Sequence, residues 1–185
     1  MWSQPQTREA RSQQRSVLAL ALLGAPRSDA IAPFSELIFG LREAGAACTF
    51  FVNWPSDKTA TTRSYYGTEI AKLIALSRCT VGINLAAPCS MCREELRREL
   101  LESMQYVLSV YGQTARFVHT AMPCIDHELL ERLDLRALCA RETGSGVVWV
   151  PNDERAVARV RGVLASAAAD AQSVVSVDAL YDTIR

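Results

Sequence analysis

Short apolar runs alternate with segments of helical periodicity along most of the chain, and this alternation constrains the fold more than any other feature. Residues 16–23 and 47–53 are runs of apolar and β-forming residues, which is typical of strands buried on both faces. Between them, residues 32–44 carry apolar residues at helical spacing and end at Gly45, a residue type that often follows a helix. Strands joined by helices pair in parallel, so the pattern predicts an α/β protein.

The alternation continues to the C-terminal region. It predicts further strands at residues 79–85, 115–120, 147–150 and 173–177, and further helices at residues 64–77, 91–111, 126–133 and 152–169. Periodicity alone does not distinguish an open, doubly wound sheet from a barrel, and both architectures remain possible at this point.

The length of 185 residues and the hydrophobic content of 49% fit one domain with a sizeable core. The formal net charge is zero, so no global positive field would attract nucleic acid, and we do not expect a nucleic-acid partner. No apolar run approaches the roughly 20 residues that span a bilayer, and we expect no membrane association.

The N-terminal residues are polar and carry several arginines before the first apolar run. A secretory signal has basic, apolar and small-residue segments in that order, but here the polar lead is long and the apolar run is short. We therefore predict a disordered tail over residues 1–15, one domain over residues 16–185, and a cytoplasmic rather than a secreted protein. A secretory signal and an organellar transit peptide are the alternatives.

Two pairs of soft ligands follow the third and fourth predicted strands, namely Cys89-x-x-Cys92 and Cys124-x-x-His127. Tetrahedral Zn²⁺ takes four ligands of this kind. Cysteine is also often a small buried hydrophobe, and without a convincing signal sequence we expect reduced thiols. A structural zinc at these four residues, and a disulfide or redox pair, remain the less favoured alternatives.

The segment from Leu41 to Asn53 reads Leu-Arg-Glu-Ala-Gly-Ala-Ala-Cys-Thr-Phe-Phe-Val-Asn. It resembles the polysaccharide deacetylase family (the NodB homology domain of carbohydrate esterase family 4, CE4), in which a helix ending in Gly is followed by Ala-Thr-Phe-Phe-Val. The specific part of the match is Thr49–Val52, and order and spacing extend it over roughly residues 16–185. The resemblance implies a distorted (β/α) barrel of about seven parallel strands, with a sugar cleft at the C-terminal ends of the strands.

The resemblance also implies an ancestral chemistry, in which one Asp and two His hold a divalent metal and a second Asp acts as the base. The two Asp positions of the family fall on Leu23 and Gly24 in this sequence, and its two His positions fall near Asn84 and Pro88. The position of a family Arg falls near His119. We therefore predict a pseudoenzyme without catalytic residues and without a cofactor.

Aromatic residues near strand ends are the candidates for ligand binding. Trp54 and Trp149 lie at or near the ends of predicted strands, where the apolar face of a sugar would stack, although they would equally close the barrel core. With His119, they form the predicted ligand-binding set. The predicted function is a binding or scaffold module, and the expected partner is a polysaccharide or a protein.

Two other interpretations remain open. One is a divergent metal-dependent deacetylase or hydrolase whose metal site has been rebuilt from the four Cys and His residues of the two pairs described above. The other is an α/β protein unrelated to the deacetylases, in which the match around Thr49–Val52 arises by chance. The sequence does not predict the oligomeric state.

Overall fold

The computed structural model describes residues 17–24, 31–53, 65–85, 90–121, 125–139, 146–151 and 153–183. The predictions for the tail over residues 1–15, and for Trp54, Pro88, Cys89 and Cys124, lie outside the described residues. Within the described ranges, no helix is long and apolar enough to cross a lipid bilayer.

The described chain contains seven strands and six helices, which alternate except that no described helix separates β5 from β6. The strands are β1 (Val17–Leu23), β2 (Thr49–Val52), β3 (Thr80–Leu85), β4 (Phe117–Thr120), β5 (Arg136–Cys139), β6 (Val147–Pro151) and β7 (Ser173–Val175). The helices are α1 (Ile31–Glu43), α2 (Tyr65–Ala75), α3 (Arg93–Tyr111), α4 (His127–Arg132), α5 (Ala156–Ala169) and α6 (Val177–Thr183). The elements predicted from the pattern are confirmed to within a few residues at their ends, whereas β5 and α6 are additional elements that the pattern does not predict.

The failure to predict β5 has a local cause. The segment Arg-Ala-Leu-Cys is four residues long and contains no β-branched residue, so its intrinsic strand propensity is low. It pairs in parallel with β4, and its backbone enters from a turn in which Asp134 has a φ of 55°. Pairing with a neighbour, rather than local sequence, makes this segment a strand.

All strand pairs are parallel, and the strand order is β5-β4-β3-β2-β1-β6. The seventh strand pairs with the first half of β1, where Val17–Ala19 match Ser173–Val175. The second half of β1 pairs with β2. The backbone N–H of Ala47 donates to the carbonyl of Val174 at 3.1 Å, so β7 lies between the beginning of β1 and the segment that leads into β2.

Side chains alternate between the two faces of the sheet. Phe50 points outwards into the main core between the sheet and the helices, and Phe51 points inwards into a second, smaller core. Both rings are fully buried, at 0% exposure. Two neighbouring rings on opposite faces of one strand are therefore both buried.

The inner core shows that the sheet curls. β5 and β6 are the two ends of the strand order, yet Leu138 and Trp149 pack in the same cluster as Ala19 and Ala21 of β1. Val177, at the beginning of α6, also belongs to this cluster. The predicted α/β fold, a distorted barrel of about seven parallel strands, is confirmed in the form of a curled half-barrel. In the part of the chain that the structure describes, β5 and β6 do not pair with each other.

Gly82 gives the ring of Phe51 room on the inner face. A Cβ at Gly82 would lie 2.6 Å from Cε1 of Phe51 and 3.0 Å from the carbonyl oxygen of Phe117, and such contacts are too short to be tolerated without movement. The missing side chain on β3 therefore allows the Phe51 ring to lie across the neighbouring strand.

We call the edge formed by the amino-terminal ends of the strands the lower end of the sheet. Hydroxyl and charged side chains connect α6 to this end. The backbone N–H of Val177 donates to Oγ1 of Thr49 at 2.9 Å, and the hydroxyls of Thr49 and Thr80 lie 2.8 Å apart. Thr80 donates to Oδ2 of Asp178 at 2.6 Å, and Arg116 lies 3.7 Å from the other oxygen of that carboxylate. We call Thr49, Thr80, Asp178 and Arg116 the lower polar network.

Candidate functional site

Three polar side chains form a row at the opposite, upper end of the sheet. Asn53 directly follows β2, Asn84 lies on β3, and His119 lies on β4 as the register partner of Asn84. Nδ2 of Asn84 donates to Oδ1 of Asn53 at 2.7 Å, and Nδ1 of His119 lies 2.7 Å from Oδ1 of Asn84. Binding sites of parallel α/β barrels form at these C-terminal ends of the strands. We call the row the upper polar chain.

The hydrogen bonds of Asn84 fix the tautomer of His119. The amide nitrogen of Asn84 is the donor to Asn53, so its oxygen faces the imidazole as an acceptor. Nδ1 of His119 must therefore carry the proton that it donates to Asn84. In a neutral imidazole the other nitrogen, Nε2, is then a lone-pair acceptor.

The environment of His119 favours the neutral form. The side chain is 6% exposed, and burial lowers the pKa of His119 below its ordinary value because a charged imidazolium is poorly solvated there. Nε2 is buried and has no hydrogen-bond partner among the described residues. Within the described part of the chain, the upper polar chain therefore begins at a buried acceptor without a donor and ends at the exposed Asn53.

Aromatic rings surround the His119 imidazole. The centroid of the Trp149 ring lies 4.7 Å from that of His119, and the Phe51 centroid lies 5.9 Å from it. The Phe51 and Trp149 rings are themselves 5.5 Å apart, and Trp149 is half-buried. Among the described residues, the rings that pack against the imidazole are thus aromatic. Nε2 is the nitrogen of His119 that remains to accept a hydrogen bond.

The end of β1 carries no acid at this site. Leu23, the last residue of β1, packs against the inner core, and Gly24 follows it with a φ of 104°. The backbone N–H of Gly24 donates to the carbonyl of Phe51 at 2.8 Å. Where the resemblance implies two carboxylates, the structure thus has an apolar side chain and a hydrogen-bonded backbone.

The described residues do not fit the divalent metal that the fold family implies. That site requires one carboxylate and two imidazoles, whereas the upper end offers the single nitrogen Nε2 of His119 and the amide of Asn84, a poor zinc ligand. Nowhere in the described ranges do three or more His, Cys, Asp or Glu side chains lie close enough together to hold a metal ion. We derive no step through a metal at this site.

Two of the four residues of the alternative zinc set, Cys92 and His127, belong to the described part of the chain. Cys92 precedes α3 and is exposed, and His127 is the first residue of α4. Arg93 joins the two helix starts, because its guanidinium lies 3.1 Å from Asp126 and 3.2 Å from Glu128. The residues next to Cys92 and His127 are therefore in contact, while Cys89 and Cys124 lie outside the described residues.

Of the predicted ligand-binding residues, the structure brings His119 and Trp149 together, and Trp54 lies outside the described residues. The sequence analysis did not identify Asn53 as part of the site, and it did not connect Asn84 with His119. A usable signal was present, because each of the three polar residues lies at or near the end of a successive predicted strand. The carboxyl ends of parallel strands meet at one edge of a sheet, so these side chains become neighbours.

No family model and no curated protein matches the sequence. Several solved structures match the fold. The peptidoglycan deacetylase PdaC from Bacillus subtilis superposes with a TM-score of 0.70 at 12% identity, over 91% of this chain and 91% of that chain. The Xyl-CE4 domain of a multidomain xylanase from the hindgut metagenome of Trinervitermes trinervoides superposes with a TM-score of 0.70 at 11% identity, over the same shares.

A CE4 family pseudoenzyme from Bacillus anthracis is also similar, with a TM-score of 0.70 and 11% identity over 90% of this chain and 66% of that chain. At these identities the likeness establishes the fold. The chain has the fold of the CE4 polysaccharide deacetylases, which confirms the fold expected from residues 41–53. An unrelated α/β fold, the third interpretation of the sequence, is therefore wrong.

Proposed function

We propose that this chain is a catalytically inactive domain with the CE4 deacetylase fold that binds a glycan at the upper end of its sheet. The observation that carries the proposal is Nε2 of His119, a buried acceptor that has no donor among the described residues and lies beside the ring of Trp149. A buried polar group without a partner costs about 1–3 kcal/mol, so a ligand that supplies a donor is favoured. A sugar has hydroxyl donors and an apolar ring face that packs on an indole.

The proposed lack of catalysis rests on the side chains at the end of β1. Leu23 and Gly24 provide neither a metal ligand nor a base at the positions where the family resemblance places two acids. A similar fold occurs in a protein described as a CE4 family pseudoenzyme, so the fold itself does not require hydrolysis.

The binding proposal is tested by calorimetric titration with chito-oligosaccharide and with xylo-oligosaccharide. We expect a Kd between about 1 μM and 1 mM for one of them, which corresponds to roughly −8 to −4 kcal/mol. His119→Asn retains an amide N–H for Asn84 but removes Nε2, and it should weaken binding about three- to tenfold, the value of one hydrogen bond. His127→Asn, which alters an exposed histidine, is the matched control and should bind as the parent does.

Two tryptophan variants separate a sugar platform from a core residue. If Trp54 stacks on the ligand, Trp54→Ala loses binding and keeps its melting temperature. If Trp54 is buried in the core, the same change destabilises the protein by about 3–5 kcal/mol. Trp149→Ala should reduce both stability and binding, because this ring is half-buried and contacts His119. Absence of binding by the parent at millimolar oligosaccharide would leave a scaffold for a protein partner as the function.

The proposed inactivity is tested with acetylated chito-oligosaccharide, acetylxylan and a chromogenic acetate ester, each with added Zn²⁺ or Co²⁺. We expect no turnover above background. Turnover of about one per second that survives repurification would contradict the proposal, since each 1.4 kcal/mol of transition-state stabilisation is about tenfold in rate.

The second candidate function is a hydrolase with a rebuilt metal site, and the contact between the starts of α3 and α4 favours it. This hypothesis uses Cys92 and His127, with Cys89 and Cys124 as the other two ligands. We expect less than one equivalent of zinc in purified protein. Stoichiometric zinc that is lost in Cys92→Ser would support the hydrolase instead.

A further inference from the structure

Two cysteine side chains meet in the main core at the lower end of the sheet, outside the candidate site. Cys48 precedes β2 and Cys79 precedes β3, and the next residues, Thr49 and Thr80, are register partners. The two cysteines therefore occupy matching positions on adjacent parallel strands and point to the same, outer face. Their sulfurs lie 3.5 Å apart, and the residues are 0% and 3% exposed.

The backbone around this pair is fixed by several hydrogen bonds. The N–H of Thr80 donates to the carbonyl of Cys48 at 3.0 Å. The N–H of Cys79 donates to Oγ of Ser77 at 3.1 Å, and Nε2 of Gln113 donates to the carbonyl of Cys79 at 3.2 Å. Adjacent strands lie about 4.8 Å apart, which is within the range of about 4.4–6.8 Å between Cα atoms of disulfides. This spacing permits a disulfide, for which the sulfurs must approach from 3.5 Å to about 2.05 Å.

We propose that Cys48 and Cys79 are a covalent modification site, at which a low-molecular-weight disulfide such as oxidised glutathione converts the two thiols into a disulfide that joins β2 to β3. The Cys79 thiolate attacks one sulfur of the oxidant, which forms a mixed disulfide and releases one thiolate. Cys48 loses its proton and attacks the Cys79 sulfur, which forms the Cys48–Cys79 bond and releases the second small thiol. The protein gives up two protons and two electrons, and one small disulfide is reduced to two thiols.

The local chemistry assigns the attacking role to Cys79. The Cys48 thiol donates a hydrogen bond to the Cys79 sulfur, and this bond lowers the pKa of Cys79 to about 7 although burial opposes the shift. Burial raises the pKa of Cys48. A thiol with a pKa near the ambient pH is the most effective attacking group in disulfide exchange. Because both sulfurs are buried in the folded protein, an oxidant reaches Cys79 only while β2 and β3 are pairing or are transiently open, so the exchange is slower once the fold is complete.

The test is to refold reduced, denatured protein in a buffer of oxidised and reduced glutathione, block the remaining thiols, and digest without reduction. Chymotryptic cleavage after Leu85 separates Cys79 from Cys89 and Cys92, so a Cys48–Cys79 bond appears as a defined peptide pair that separates on reduction. We expect this pair in the refolded protein, which has lost the mass of two hydrogens. Native protein in the same buffer should form it more slowly. Absence of the pair after refolding would overturn the proposal.

Variants provide an independent measurement. The bond would join residues 31 positions apart in the sequence, so the oxidised protein should melt about 5–15 °C above the reduced protein. Cys48→Ala should abolish this difference, whereas Cys139→Ala, which alters a buried cysteine of β5, should retain it. A difference that persists in Cys48→Ala would assign the effect to other cysteines and contradict the proposal.

Discussion

The two ends of the inner face both carry a chain of hydrogen bonds, but only the lower one is complete within the described residues. In the lower polar network, Thr80 donates to Asp178, so the Thr49 hydroxyl must donate to Thr80 and is free to accept from the N–H of Val177. This chain begins at a backbone donor and ends at a carboxylate beside Arg116. Every donor in it has an acceptor, which is the arrangement expected where polar groups stabilise a fold.

The upper polar chain runs from His119 through Asn84 to Asn53, and it begins at an acceptor that receives no donor among the described residues. The lower end thus holds α6 against the strands. At the upper end, Nε2 of His119 accepts no hydrogen bond from the described residues. In parallel α/β barrels the lower end contributes stability and the upper end contributes function. The difference between the two chains supports the proposal that the binding site lies at the upper end.

The largest expected effect is at Phe51, whose ring lies beneath His119 on the inner face. Phe51→Ala should cost about 3–5 kcal/mol of unfolding free energy, the usual range for a buried Phe, and it should also weaken glycan binding because Trp149 and His119 lose their support. Phe50→Ala is the matched control, since it removes an equally buried ring from the outer face. It should cost a similar free energy in a urea titration and leave binding by the folded protein unchanged. A loss of binding in both variants would contradict the proposal that only the inner face supports the binding site.

A smaller effect is expected at the lower end itself. Thr49→Val preserves the shape of the side chain but leaves the N–H of Val177 without its acceptor and Thr80 without its neighbour. The cost should be about 1–3 kcal/mol, with glycan binding unchanged. Asn53→Ala, at the exposed end of the upper polar chain, should change stability by less than about 0.5 kcal/mol. Equal losses in the two variants would show that the two chains do not differ in their contribution to stability.

Much of the fold could be predicted because local sequence determines it. The apolar runs at β1 and β2 and the helical spacing of α1 are each contained in about ten residues, so their character is visible without any partner. The opposite orientations of Phe50 and Phe51 follow from the period of two in a strand. β5 could not be predicted in this way, because its local preference for a strand is weak and its pairing with β4 determines its conformation.

The interactions at the two ends of the sheet depend on register and curvature, which local sequence does not determine. Thr80 and Asp178 are 98 positions apart in the sequence, and Asn84 and His119 are 35 positions apart. Each pair meets only because a particular residue of one element lies opposite a particular residue of another. The family resemblance identified the positions of Asn84 and His119. The hydrogen bond between them, and the lack of a partner for Nε2 among the described residues, depend on the three-dimensional structure.

The smallest expected effect is the dependence of stability on the protonation of His119. Because burial lowers the pKa of His119 in the folded protein below its ordinary value of 6.5, the unfolded chain binds the proton more readily. The contribution to stability is therefore complete above pH 6.5 and decreases as the pH falls below it. The side chains that contact His119, those of Asn84, Phe51 and Trp149, do not titrate near pH 6.5. Protonation of the folded protein removes the Nε2 lone pair, so glycan binding should decrease only as the pH falls through the lowered pKa of His119, below the pH at which the stability loss begins.

Urea titrations and oligosaccharide titrations at pH 7.5 and at successively lower values measure both effects. His119→Asn cannot be protonated, so the part of the pH dependence that comes from His119 should be absent from it, whereas His127→Asn should follow the parent. The carboxylate of Asp153 is common to all three proteins and responds only at lower pH, because a hydrogen bond from the backbone of Arg155 holds its pKa below the ordinary value. If the parent and His119→Asn lose stability in parallel between pH 7.5 and 5.5, His119 is not held neutral by burial. Nε2 would then carry a proton that it donates to an acceptor, and it would not be the unpaired acceptor on which the binding proposal rests.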